Sequence, residues 1–303
     1  MPKKKLNKER PKILGSAVIE DVYPSVLNGR FAVKRITGEK IDIWADIFRE
    51  GHGKCEARLL YREEGASRWK KSAMGFFDND RWKGSLTAGR PGYHEFCIEA
   101  WPEENPKRIT RSAVYPLSVD REAAGFASWY EMWPRSQGLL EGESATFKDM
   151  EKRIPYISDL GFDVIYLTPI HPIGRTKRKG PNNNPVCSIN DPGCPYAIGN
   201  EAGGHKAVEP SLGTLKDFER FNSAVKKAGL EVALDIAHTC SPDHPYLKEH
   251  PEWFFHEKDG TIKCAVNPPK VYEDIIPFNF FCDDYEALWN EMLSIFTFWA
   301  EKG

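Results

Sequence analysis

The stretch GFDVIYLTPIHPIGRTKRKGPNNN, residues 161–184, decides how the rest of the chain reads. It opens on a helix-ending glycine and passes through a short β-branched and aromatic run, Val164 to Leu167. It then enters a loop too rich in Pro, Gly and Lys to bury. That is how a parallel strand, covered on both faces, delivers a functional loop.

The same grammar repeats on both sides. Thr146 with Asp149 three residues on resembles a capping box, and Phe147, Met150, Ile154, Ile157 and Leu160 follow at helical spacing up to Gly161. Thr214 with Asp217, then Phe218, Phe221, Val225 and Ala228, predict a second helix ending at Gly229. The run LEVALDIAH, residues 230–238, reads as the strand after it. A third helix is expected from Asp284, with Leu288, Met292, Ile295, Phe296 and Trp299 on one face, up to Gly303. Upstream, FASWYEMWPRS, residues 126–136, reads as a buried strand entering a loop. Strand, helix, strand, long loop, helix, strand, long loop, helix is the order of the first half of a (β/α)8 barrel. A doubly wound sheet shares that local order, but no GxGxxG turn supports a dinucleotide site.

Residues 12–120 follow another rule. IDIWADIF (41–48), CEARLLYRE (55–63) and YHEFCIEAW (93–101) alternate, and residues 68–88 predict two more strands around Asp78-Asn79-Asp80. Short strands with polar turns predict an antiparallel sandwich similar to the immunoglobulin type. Trp44, Trp69, Trp82 and Trp101 are read as its core in preference to a sugar-stacking platform. The expected organisation is therefore multidomain, β plus α/β. Residues 1–120 form the sandwich and residues 121–303 an incomplete (β/α)8 TIM barrel stopping before its fourth strand.

With 303 residues, 41% hydrophobic content and a formal net charge of −2, the chain has no whole-molecule attraction to nucleic acid or anionic membrane. The Lys-rich start, residues 1–12, reads as a solvated terminus and not a nucleic-acid arm, and no apolar h-region follows it. Seven cysteines without CxxC spacing fit reduced thiols. A metal site from Cys187, Cys194 and nearby histidines is set aside, so no metal is expected.

Both long loops follow strands, at the end where such barrels carry their chemistry. They bring Arg175, Lys177, Arg178, Lys179 and Lys270 alongside Asn182, Asn183, Tyr272 and Asp274. This set suits a phosphate or phosphorylated sugar as well as it suits solvated loop charge.

In order and spacing, WYEMWPRS, GFDVIYLTPIHPIGRTKRKGPNNN, DPGCPYAIG, GGHKAVEPSLGTLKDF, LEVALDIAHTCSPDHPYLKEHPEWF and NPPKVYEDIIPFNF resemble the maltosyltransferases that extend α-1,4-glucans from α-maltose 1-phosphate. These are members of the α-amylase superfamily, glycoside hydrolase family 13. The resemblance implies a cytoplasmic, homodimeric enzyme without metal or organic cofactor, transferring the sugar with retention. Carried over by motif, Lys179, Lys270, Tyr272 and Asp274 would hold phosphate and sugar hydroxyls, and Thr239 occupies the position of the family's glutamine. Asp235 would shape the site, with His205 and His244 in supporting places. The nucleophilic aspartate and acid/base glutamate would fall after Gly303, which leaves no catalytic carboxyl in residues 1–303. The segment between Trp101 and Asp120 is also shorter than the family's helical insertion, which bears on the dimer. A non-catalytic glucan-binding remnant, one half of a split enzyme, and an α-glucan hydrolase or branching enzyme remain the competing readings.

Overall fold

The computed structural model describes residues 17–51, 53–140, 142–188 and 191–303. The Lys-rich start and His52, which lies between the runs 41–48 and 55–63, fall outside them. The chain divides into two compact units, Met1–Phe126 and Ala127–Gly303.

Among the described residues the first unit holds ten strands: β1 Val18–Tyr23, β2 Val33–Ile36, β3 Lys40–Phe48, β4 Cys55–Glu63, β5 Lys70–Ala73, β6 Gly75–Asp78, β7 Arg81–Thr87, β8 Gly92–Pro102, β9 Thr110–Arg111 and β10 Tyr115–Asp120. One sheet runs β1-β3-β7-β6; the other runs β2-β10-β8-β4-β5, with β9 beside β8. Period-two alternation explains their packing. On β3, Ile41, Ile43, Ala45 and Ile47 are all buried, and they share one core with Ala57 and Leu59 of β4, Phe96 and Ile98 of β8, and Leu117 of β10. Residues 68–88 form three strands instead of the expected two, with Asn79 in the left-handed region at the β6–β7 turn.

The tryptophans correct the sequence reading. Trp82 alone of the four is core. Trp44, Trp69 and Trp101 are half-buried on the outer faces under cations: Lys83 over Trp44 at 4.6 Å, Arg62 over Trp69 at 4.2 Å and Arg58 over Trp101 at 5.1 Å. Cation–π contact lets a ring stay at the surface without being bare. Across from Arg58, Glu99 is nearly inaccessible and accepts from Arg58 and Arg111. Burial opposes its charge, but the two arginines outweigh it and hold the carboxyl below its ordinary value.

The second unit is built on three parallel strands, β11 Trp129–Met132, β12 Val164–Leu167 and β13 Glu231–Leu234, in that order. Val164 is in register with Trp129 on one side and Glu231 on the other. Of the strand expected over residues 230–238, Glu231–Leu234 pair in register and the Asp235 N–H adds a bond to the Leu167 carbonyl at 2.9 Å. The helix expected from Phe147 to Leu160 is two short ones, α1 Phe147–Glu151 and α2 Ile154–Asp159. Pro155 falls in the first turn of α2, because it has no N–H for a continuous helix and clashes with the preceding turn. Both capping boxes form: Thr146 with Asp149 opens α1, and Thr214 with Asp217 opens α3, Leu215–Lys227. Gly161 and Gly229 end their helices at φ near +80°, a conformation that costs glycine little. The chain then forms β14 Thr239–Cys240, α4 Tyr246–Glu249, the hairpin β15 Ala265–Asn267 with β16 Lys270–Tyr272, β17 Ile276–Pro277 and α5 Tyr285–Glu301. Phe147, Phe218, Phe221, Ile165, Leu288 and Trp299 join one core.

Candidate functional site

The site forms where the loops after β12 and β13 are laced together. Asp243 accepts the backbone N–H groups of Arg175 at 2.6 Å and Thr176 at 2.7 Å, and the Thr176 hydroxyl at 2.6 Å. Ser241 N–H donates to the Ile198 carbonyl at 2.7 Å. The N–H donors that an irregular loop leaves open are thereby matched by a carboxylate. That carboxyl sits below its ordinary value, its burial being outweighed by these donors and the Arg175 charge.

Of the basic residues in the first loop, most are already engaged. Arg175 pairs with Glu201, Lys177 lies 3.9 Å from Glu273, and Arg178 donates to the Pro192 carbonyl at 2.7 Å. Lys179 differs. It is only 8% exposed, and among the described residues no hydrogen bond or ion pair within 4 Å engages its ammonium. Asp274, 2% exposed, is the acid close enough to feel its charge. Burial pushes the Asp274 carboxyl up and Lys179 pulls it back in part, while Asp274 Oδ1 is buried with no hydrogen-bond partner. The structure thus brings together two residues separated by 95 positions, each short of a partner.

Lys270 is exposed and Tyr272 half-buried on the β15–β16 hairpin, four and two residues before Asp274. The Lys177–Glu273 ion pair links this segment to the first loop. Asn182 and Asn183 both take positive φ, at 55° and 62°, and are exposed.

Asp235 stands one residue past β13 and accepts from the Tyr166 hydroxyl at 2.7 Å, and the Tyr196 phenol lies near enough to feel its charge. Burial first, then the Asp235 charge, pushes Tyr196 up to about 12. Hydrogen bonding to Asp235 raises Tyr166 further. Both phenols therefore stay protonated, Tyr166 as a donor to Asp235, and sequence spacing did not single out either. The Thr239 hydroxyl donates to the Tyr196 carbonyl at 2.8 Å, so it acts here as a brace on the loop that holds Tyr196.

His205 and His244 are buried side by side, with His205 Nδ1 3.1 Å from His244 Nε2. The chain of bonds fixes their tautomers. The Tyr246 N–H donates to His244 Nδ1, so the neutral His244 carries its proton on Nε2 and donates to His205 Nδ1; His205 Nε2–H then donates to the Ala237 carbonyl at 2.9 Å. Desolvation lowers His205 to about 4 and, with the neighbouring imidazoles, His244 to about 2. Gly199 and Gly204 make the fit possible, because a Cβ at either would come within 2.2 Å of the His244 ring. His171, absent from the sequence reading, packs 5.8 Å from His205; burial lowers it to about 3, and its Nε2 has no partner. The HP dipeptide inside the deciding stretch was the available signal.

Among the described residues, ligand atoms of His205, Cys240 and His244 lie within 4.8 Å of one another, as do those of His250, Glu252 and Asp284. Neither group contains Cys187 or Cys194. In the first group the imidazole nitrogens point at each other or at backbone, and burial drives the Cys240 thiol well above its ordinary value. A metal there would displace at least one of these hydrogen bonds and need a thiolate the site disfavours.

Parallel strands with a braced carboxylate at the end of the third, and long loops at the same end, are the arrangement in which α/β enzymes carry their chemistry. Residues 124–298 match the alpha amylase catalytic domain, and residues 15–107 match domain N/S of alpha-1,4-glucan:maltose-1-phosphate maltosyltransferase. The chain belongs to the alpha-amylase family, and within it resembles the N-terminal part of the maltosyltransferases. It is 39% identical to the alpha-1,4-glucan:maltose-1-phosphate maltosyltransferase of Myxococcus xanthus (strain DK1622), over 96% of this chain and 56% of the relative. The protein of that name from Chlorobaculum tepidum is 37% identical over 94% of this chain and 54% of its own length. The chain spans about half the length of these curated relatives. The first alignment runs over 375 positions against a chain of 303, so the relative carries residues this chain lacks. A solved alpha-amylase from Lactobacillus plantarum is 29% identical over 58% of this chain and 36% of its own, with a TM-score of 0.47. No described helix is long and apolar enough to cross a membrane.

Proposed function

We propose that this chain forms the donor-phosphate side of an enzyme that transfers maltosyl units from α-maltose 1-phosphate to the non-reducing end of α-1,4-glucans, with retention. In this reading the first unit is an immunoglobulin-like sandwich and β11 to α5 open a (β/α)8 barrel. The complete enzyme is a cytoplasmic homodimer. The nucleophilic aspartate and the acid/base glutamate, about 5 to 5.5 Å apart in a retaining site, come from sequence other than residues 1–303, and these residues alone do not turn over.

One observation carries the reading: a buried lysine with no ion pair beside a buried carboxylate with an orphaned oxygen. An unpaired buried charge is costly, so such a pair is expected where a ligand completes it. A sugar 1-phosphate does so chemically. Lys179 meets the phosphate charge, which stabilises phosphate as the leaving group. Asp274 accepts a sugar hydroxyl, and Lys270 and Tyr272 donate to phosphate oxygens from the rim. Asp235, held by Tyr166, shapes the sugar's place.

Calorimetric titration tests this directly. The chain is expected to bind α-maltose 1-phosphate more tightly than maltose, and Lys179→Ala to abolish the difference; equal affinity of the unaltered chain for both sugars contradicts the proposal. A second reading, one polypeptide of a split enzyme, is favoured by α5. Tyr285, Trp289, Leu293 and Phe296 make an exposed apolar stripe along it, each 46% to 64% accessible, of the kind that marks a covered surface.

A further inference from the structure

We propose that the second unit carries a divalent metal site formed by His250, Glu252 and Asp284, which takes a transition-metal ion of the zinc type and clasps the base of the excursion that bears β15 and β16. Ligand atoms of the three lie within 4.8 Å of one another, and His250 Nδ1 is 3.1 Å from Glu252 Oε1. One imidazole nitrogen with two carboxylate oxygens is a donor set that zinc accepts, whereas calcium and magnesium favour oxygen alone. Zinc bonds of about 2.0 to 2.2 Å at tetrahedral angles put donors roughly 3.3 to 3.6 Å apart. Closure of these side chains onto an ion is therefore a small movement.

The frame of the site is rigid and its mouth is open. Trp253 is 3% exposed and serves two of the three ligands. Its ring lies flat on the His250 imidazole, centres 3.9 Å apart and planes 5° from parallel, and its indole N–H donates to Asp284 Oδ2 at 3.1 Å. An outer partner that fixes the orientation of a ligand is a recurrent part of metal centres. His250 follows α4 directly, with its backbone N–H on the Tyr246 carbonyl at 2.8 Å, and Glu252 lies in the turn Pro251–Trp253. The His250 and Glu252 side chains are 39% and 46% exposed and Asp284 is exposed, so an ion can enter and keep water on its open positions.

Two further observations point to a cation. Asp284 occupies the N-cap position of α5, where an aspartate ordinarily accepts a backbone N–H of the first turn, yet its side chain makes no capping bond. It is turned to Trp253 and the cluster instead. Among the described residues neither Glu252 nor Asp284 has a lysine or arginine within 4 Å. Two like charges thus stand close together with one imidazole beside them, an arrangement that a divalent ion neutralises. In the buried group of His205, Cys240 and His244 the nitrogens are spent on one another and on backbone; here the only partner of the imidazole is another ligand. His250 and Asp284 bracket the chain that carries Lys270, Tyr272 and Asp274, so an ion held by both closes that long loop at its base.

The test is calorimetric titration of the whole chain, stripped with a chelator and kept reduced, with zinc ion alone. The expected result is one equivalent bound, with His250→Ala, Glu252→Gln and Asp284→Asn each weakening Kd at least about tenfold, since even the outer partner of a ligand is worth about 10- to 100-fold. Cys187→Ser, which removes the exposed thiol, is expected to bind as the unaltered chain does. Urea unfolding supplies a second readout. Zinc is expected to raise the midpoint of the unaltered chain and not that of Glu252→Gln, while without metal that variant unfolds at the same or a higher midpoint because one of two like charges is gone. No stoichiometric binding overturns the proposal, as does binding indifferent to all three ligand variants, which marks an adventitious ion only. Binding lost in Cys187→Ser places the ion on that thiol and overturns it likewise. Displacement of zinc by an equal concentration of calcium overturns the assignment to a zinc-type ion. No sugar enters the titration, so its outcome is independent of the function proposed above.

Discussion

Lys179 and Lys270 carry the same charge toward the same candidate site, and the fold treats them oppositely. Lys179 is enclosed between the two long loops beside Asp274, whereas Lys270 projects from a two-stranded hairpin into solvent. The same contrast separates the buried His171, His205 and His244 from the exposed Asn182 and Asn183. An interior group has its solvation removed before any ligand arrives, so its interactions are strong and its errors costly. A rim group keeps its water and contributes little until the ligand closes over it.

The largest effect that can break this contrast is in acid. The three imidazoles are held neutral, with folded values of about 3, 4 and 2, below the ordinary value of about 6.5. As pH falls through 6.5 the unfolded chain takes up protons the native chain refuses, so stability falls; the loss continues until pH reaches the folded values. Each site contributes about 1.4 kcal/mol per pH unit in that window. Urea unfolding at pH 7, 6 and 5 is expected to show this slope, and His171→Gln to make it shallower by one site. An unchanged slope in that variant means His171 is not kept neutral by burial.

Next in size is donor affinity. Lys179→Ala is expected to weaken α-maltose 1-phosphate binding roughly 10- to 150-fold, the value of a charged hydrogen bond in a buried site. A loss no greater than twofold would place Lys179 outside the donor site. The coupling of the two charges is smaller. Lys179→Met removes the positive charge that offsets part of the burial of Asp274, so Asp274→Asn is expected to cost less stability in that background than alone, with a coupling of about 1 kcal/mol in denaturant titrations. Additive effects would show that the two charges do not interact. Smallest is the rim: Lys270→Ala in an enzyme completed with the remaining barrel is expected to raise the donor KM only about two- to fivefold. A Lys270 effect equal to that of Lys179 erases the distinction between interior and rim.

Much of the second unit was legible before any coordinates. Thr146-Asp149, Thr214-Asp217, Gly161 and Gly229 are local devices, each needing only residues within a turn of itself, and each appears where the pattern placed it. The strand alternation of β3, β4 and β8 was legible for the same reason. The break between α1 and α2 was written in Pro155 but outweighed by the apolar periodicity around it. Surface tryptophans were misassigned because a ring's burial depends on whether a neighbouring strand brings an arginine or lysine over it, which is a matter of register.

By itself, then, the amino-acid sequence determined the two kinds of unit, the helix ends, and which loops are too long and too polar to be mere connections, because those follow from interactions between near neighbours. Tertiary structure alone decided that of five basic loop residues only Lys179 is buried without a counter-ion, that Asp274 lies near it, and that three histidines share one dry cluster. These are contacts across 34 to 95 positions, and their energies depend on how much water the fold excludes, a quantity no local stretch of sequence contains.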